Sequence, residues 1–357
     1  MPIEPVAGAD LAARRILRLA LGVTLALVIS QAVAWPMSFL APILVAVLLG
    51  LPLPLPRMVG GLKLLVVLIA PVALVALLLL PFITLYRDVA VILAVLGLFW
   101  SFLFSARGGS PVVGQLLTVG LAVVIAIGSV ASALVPALVA GLAVGAGVAI
   151  LIVWITHGVL PDPSLPPMKR PPAPAADPRQ ARLGALRALA VMLPVTLYVL
   201  FSPDSAAYMA VMIKGATLAQ QASAEGHRTA ARDLLASTAW GGAAAIAGFW
   251  LLGLWPSLGF FALIVALAAL AFGRGMFRGP GPHPRAGMWS YALVTMLILL
   301  LPASADAPFG QAAGAAFWSR LWQFVLVTAY AGVAVRMFDA LWPARPARRA
   351  APGTAAS

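Results

Sequence analysis

Apolar residues fill this chain in long runs, and the interruptions between them are rich in Pro, Gly, Arg and Trp. Runs of this length are those that cross a bilayer as helices. Backbone in lipid must satisfy its own hydrogen bonds, which selects the helix. Twelve helical runs are predicted, at about 16–35, 38–53, 62–80, 89–104, 112–130, 135–155, 183–201, 206–221, 234–254, 258–272, 288–301 and 317–338. The breaks have local causes. Trp35-Pro36 and Trp255-Pro256 stop the first and ninth runs, since proline lacks a backbone donor and restricts the residue before it. Gly108-Gly109-Ser110-Pro111 turns the chain after Arg107.

The longest polar run, GVLPDPSLPPMKRPPAPAADPRQAR at 158–182, holds eight prolines. It reads as an extended connector. The predicted organisation is a first six-helix membrane unit at 1–157, a Pro-rich cytoplasmic linker at 158–182, a second unit at 183–342, and a basic cytoplasmic tail at 343–357. The two units echo each other. Leu17-Arg18 recurs as Leu186-Arg187, Phe39-Leu40-Ala41 as Tyr208-Met209-Ala210, and Lys63 as Arg232, each pair 169 residues apart. An even helix count per unit predicts parallel repeats, related by an axis along the membrane normal. The fold class expected is therefore an all-α integral membrane protein of about twelve transmembrane helices in two parallel six-helix repeats.

Composition agrees: 63% of the 357 residues are hydrophobic and 9% charged, against about 25% charged in soluble domains. The net charge of +13 would suggest nucleic acid in a soluble protein, but topology accounts for it. With the N-terminus in the cytoplasm and alternating helices, 19 of the 23 Lys and Arg fall inside. This bias predicts cytoplasmic termini and linker, and no nucleic-acid partner. Ala32-Val33-Ala34 resembles a signal-peptide cleavage site, yet the stretch before it recurs inside the chain, so a retained helix is expected. With no cysteine there is no disulfide framework or thiolate site.

Lys214 stands out, in YMAVMIKGATLAQQ halfway along the eighth run. A charge at that depth costs at least about 2.5–3.5 kcal/mol and normally faces a cavity or partner. It reads as an anion-binding cation or a proton-titrating amine, expected to face a polar cavity between the halves. The alternative is a structural or snorkelling lysine. Gln221, close to two turns on, shares that face better than Gln220; either could simply mark the helix end meeting water. Tyr208 is a further candidate neighbour. Arg320, between Trp318 and Trp322, reads as an interfacial belt residue or as a basic group at the outer mouth of a path. None of the ten acids falls clearly mid-membrane. No phosphate loop, H-E-x-x-H or other metal or catalytic pattern occurs, so neither an enzyme nor a cofactor is expected.

The second half reads RALAVMLPVTLYVLFSPDSAAYMAVMIKG, HRTAARDLLASTAWGGAAAIAG and FWSRLWQFVLVTAYAGVAV. It resembles the fusaric acid resistance and aromatic acid exporter (FUSC-like) superfamily. In that family, basic residues precede a small-residue-rich third helix, matched by Arg228, Arg232 and Gly241-Gly242, and another opens the sixth, matched by Arg320. The first half, RLALGVTLALVISQAVAWPMSFLAPILVAVLLGLPLP, is similar to the related DUF2955 membrane proteins. Two features depart from the exporters: their large cytoplasmic domain is reduced to the linker, and the first-half third helix lacks the polar cluster. The resemblance implies a bacterial inner-membrane transporter exporting small organic or aromatic anions, with Lys214, Tyr208, Gln221 and Arg320 as substrate-binding residues and a HlyD-type periplasmic adaptor as partner. The alternatives are a major-facilitator-type transporter, whose acidic loop signature is missing from LPLPLPRMVGGLK, or a non-transporting membrane scaffold or accessory subunit.

Overall fold

The computed structural model describes residues 4–35, 37–51, 58–129, 132–162, 177–202, 208–224, 230–278, 283–305 and 311–342. Among them stand twelve helices and no strand: α1 (Glu4–Val33), α2 (Leu40–Gly50), α3 (Met58–Leu85), α4 (Arg87–Ala106), α5 (Pro111–Gly128), α6 (Leu134–Val159), α7 (Pro178–Phe201), α8 (Met209–Ala224), α9 (Ala230–Leu254), α10 (Leu258–Met276), α11 (Ala286–Ala305) and α12 (Gln311–Leu341). Each overlaps one of the runs predicted above. Eight of them, α1, α3, α4, α6, α7, α9, α10 and α12, are long and apolar enough to cross a membrane. Helices α2, α5 and α11 are apolar over shorter stretches, and α8 has 16 residues. A chain of this kind is an integral, multi-pass membrane protein in contact with the lipid bilayer. The lipid-facing surface is plainest on α3 and α4, where Leu62, Val66, Leu77, Ile92 and Trp100 are all exposed.

Local chemistry sets the helix ends. After α1, Ala34 takes a left-handed φ of 53°, and its N–H donates back to the Ser30 carbonyl at 3.0 Å. Helix α9 ends just before Trp255-Pro256, and the Ser257 side chain caps α10 by accepting from the Phe260 N–H at 3.2 Å. Asp177 caps α7, accepting from the Arg179 N–H at 3.1 Å. Pro178 follows in the first turn, where a missing N–H costs nothing. The second unit therefore starts before Leu183, and α6 continues to Val159 into the stretch read as linker. Linker residues 163–176 and the tail from 343 lie outside the described residues, as does Arg228. Arg87 and Asp88 are exposed and open α4, and Asp233 lies in the first turn of α9, where a carboxylate favours the positive helix end.

The helices pack across the chain as well as along it. Helix α1 lies against α10 and α7 against α4, while α5 meets α8 and α2 meets α11. Helix α3 pairs with α5, and α9 with α11. The last pair is close: a Cβ on Gly241 would stand 2.5 Å from the Ala292 carbonyl oxygen and 2.7 Å from Thr295 Cβ. A small residue is what permits that approach.

Two buried arginines tie helices to distant acids. Arg18 on α1 meets Asp162, just past α6, at 3.0 Å, and Arg187 on α7 meets Asp339, near the end of α12, at 3.2 Å. Arg18 also donates to the Leu160 carbonyl at 3.3 Å, and Arg14 to that of Pro161 at 3.1 Å. A buried guanidinium needs its charge and its donors met together, and at Arg18 the Asp162 carboxylate and the Leu160 carbonyl meet both needs.

Candidate functional site around Lys214

Helix α8 is buried without a break from residue 211 to 220. Along these ten residues no face is left for solvent or lipid, so every polar side chain among them needs an internal partner. Lys214 is 1% exposed. Its Nζ donates to Thr295 Oγ1 on α11 at 2.7 Å and lies 5.9 Å from the ring centroid of Phe324 on α12. Thr295 passes its own proton to the Tyr291 carbonyl at 2.7 Å, which leaves its oxygen free to accept from the ammonium. Among the described residues the ion pairs are those of Arg18 and Arg187, and no carboxylate reaches Lys214. A neutral hydroxyl and an aromatic face are what hold this cation. Gly215 opens the neighbouring side, where a Cβ would meet Met192 Sδ at 3.3 Å.

Among the described residues, Lys214 does not itself line the cavity beside it. A cavity of about 110 Å³ does lie between α2, α3, α5, α6, α8 and α11, but its wall is apolar. Leu68, Val72, Leu142, Ile213, Val294 and Ile298 line it, and Gln115 and Thr217 supply the polar side chains. Helical geometry explains the difference. Ile213 and Thr217, four apart, turn to the cavity together, and Lys214 is one step round the helix. On α11, Val294 and Ile298 face the cavity while Thr295 is likewise one step round. The Lys214–Thr295 bond thus lies directly behind the cavity wall.

The other sequence candidates fall elsewhere. Tyr208 forms a turn just before α8, and the Tyr198 hydroxyl donates to its oxygen at 3.2 Å. Both tyrosines line a groove of about 510 Å³ among α7, α8 and α12, with Trp322, Gln323 and Tyr330. Arg320 is half-buried on α12, outside the lining of that groove. The Lys214 ammonium is held by Thr295 and Phe324 and by neither Tyr208 nor Arg320. Gln221 belongs to α8, but its side chain lies outside the described residues.

Gln220, the neighbouring glutamine, does have partners. Its Nε2 donates to the Gly114 carbonyl at 2.7 Å and to Thr118 Oγ1 at 2.5 Å. Thr118 also bonds the Gly114 carbonyl at 2.9 Å and Ser101 at 3.0 Å. This buried network joins α8 to α5 and α4. The two threonines that α8 engages, Thr118 and Thr295, are 177 residues apart, as are the two paired acids Asp162 and Asp339. That shared spacing is the sequence signal that could have found Thr295.

The family described as a protein of unknown function, DUF2955, matches residues 15–156. The match runs from within α1 to within α6 and agrees with the membrane assignment. It covers less than half of the chain and leaves out α7 to α12, where Lys214, Thr295 and Phe324 lie. No curated protein and no solved structure matches the chain.

Proposed function

We propose that this protein is a bacterial inner-membrane transporter that exports small organic or aromatic anions, with Lys214 as the cation that receives the substrate's charge. The carrying observation is the setting of Lys214: a buried cation with only neutral partners, one step behind the wall of a cavity between the two six-helix stretches. An ammonium has three protons to donate, and an intramembrane cation without a counter-charge gains most from an anion.

In this reading the chain makes twelve crossings in two parallel six-helix repeats, with both termini and the linker in the cytoplasm. Its helix contacts support the repeat: α1 against α10 is matched by α7 against α4, and α3 against α5 by α9 against α11. The Arg18–Asp162 and Arg187–Asp339 pairs support it again, each joining the first helix of a unit to the end of its sixth. Kinship with the aromatic acid exporters, and a HlyD-type adaptor on the periplasmic side, belong to the same proposal. The protein catalyses no covalent step in this reading.

One observation favours the second reading, a non-transporting membrane subunit. Lys214 is closed over by Thr295 and Phe324, as a purely structural lysine would be. Export separates the two. Lys214→Met keeps length and apolar bulk and removes the charge; it is expected to insert normally and to lose export of a labelled aromatic acid. Lys214→Arg, which keeps a charge, is expected to retain more binding than Met does. Wild-type export by the Met variant at equal expression would make the lysine structural and end the anion-site reading.

A further inference from the structure

We infer that the cavity between α2, α3, α5, α6, α8 and α11 receives the apolar body of the transported molecule and selects it by size and apolarity, without preference for an aromatic ring. Compact branched aliphatic acids are then substrates on a par with single-ring aromatic acids. The inference rests on the transport reading for its anionic part and on the cavity alone for its specificity.

Three observations carry it. The cavity is small, about 110 Å³; an engineered apolar cavity of about 150 Å³ stays dry and takes up benzene. Its occupant is therefore no larger than one ring or a short branched chain. Its wall is mostly aliphatic, and among the described residues Phe39 is the one aromatic side chain on the lining. Ring recognition relies on stacked or edge-to-face partners, and a single Phe at the α2 end offers no pair to clasp a ring; the Leu, Ile and Val that make up the rest reward any apolar surface alike. Lastly, of the two polar side chains on the described lining, Gln115 and Thr217, Thr217 is already engaged. The Thr217 hydroxyl gives its proton to the Lys214 carbonyl at 2.8 Å. Among the described residues no charged side chain stands on the lining, so the inference places a carboxylate at the α8–α11 side, where Lys214 and Thr295 are.

Thermal unfolding of the purified full chain tests this, because a ligand that binds only the folded state raises its melting temperature. Two neutral probes, benzene and 2-methylpentane, read the cavity. Two acids, benzoate and 4-methylpentanoate, read the cavity together with the charge. Val294→Phe and Leu142→Phe fill the cavity from opposite sides and remove effects of partitioning into lipid; two fillers ensure that one folding failure does not lose the control. The neutral pair is expected to give shifts equal within a factor of two, lost in both filled variants, and the two acids to match each other likewise. Benzene stabilising at least tenfold more strongly than 2-methylpentane, no shift from either, or shifts that persist in the filled variants would overturn the inference. Binding of the neutral pair with neither acid bound would remove the anion reading of Lys214 and leave the cavity assignment standing.

Discussion

The network that joins α8 to α5 makes a quantitative prediction. Thr118→Val keeps shape and removes a hydroxyl that meets Ser101 on α4 and Gln220 on α8. Gln220→Met keeps length and removes the donor to Thr118 and to the Gly114 carbonyl. Interhelical hydrogen bonds in membranes average about 0.6 kcal/mol and reach about 1.7. Each variant loses two of them and should lose about 1–3 kcal/mol of stability. The double variant loses three bonds in all, because the Thr118–Gln220 bond is common to both singles. Its cost should therefore fall short of the sum by one bond, about 0.6–1.7 kcal/mol. Equilibrium unfolding by increasing sodium dodecyl sulfate in lipid bicelles measures all four corners of this cycle. The reasoning fails if the two costs add to within about 0.3 kcal/mol, the range of independent sites. The Gln220 side chain would then not be spending its amide on Thr118.

Three further expectations follow from the packing. Arg187→Met leaves Asp339 without its cation and should cost about 3 kcal/mol, the lower end for a broken buried pair because Asp339 is partly exposed; Arg187→Met with Asp339→Leu should recover most of that loss in the same unfolding assay. Gly241→Ala places a methyl against the Ala292 carbonyl and should destabilise by about 1–3 kcal/mol, the range for overpacking, seen as a lower melting temperature. For topology, single cysteines at Ala175 and Ala355 of this cysteine-free chain should resist a membrane-impermeant thiol reagent in intact cells; periplasmic labelling of either would reverse the orientation or change the helix count.

Much of the architecture was legible because lipid leaves the backbone few options. The twelve runs became helices, and Trp35-Pro36 and Trp255-Pro256 ended α1 and α9 where proline chemistry says they must. Lys214 was legible as a buried cation for a similar reason, since a charge amid apolar residues is conspicuous. Its surroundings were not. Thr295 lies 81 residues away, and a threonine in an apolar helix carries no mark of the side chain it will meet. The partners of Gln220 were not legible either. From 211 to 220 the helix is enclosed on all sides, so a glutamine there can find a partner on any face, and Gln220 found α5. Arg18 and Arg187 were legible as a repeated pair, expected on the cytoplasmic side. Their acids were not, since Asp162 and Asp339 follow each arginine by more than a hundred residues.

The shortness of α2 and α8 bears on how the protein is made. At about 1.5 Å per residue, the 11 residues of α2 and the 16 of α8 fall short of a hydrocarbon layer about 30 Å thick. Helix α8 also carries a lysine that lipid penalises. Neither can partition alone as it leaves the ribosome. In the proposed twelve-crossing topology, each enters as a hairpin with the longer helix before it, α1 or α7, against which it packs. Even then, Lys214 stays exposed to the insertion machinery or to lipid until α11 and α12, synthesised last, bring Thr295 and Phe324 to it. In that proposed topology the second half closes around Lys214 from its C-terminal end, and a chain cut short before α11 is expected to leave the lysine without Thr295 and Phe324.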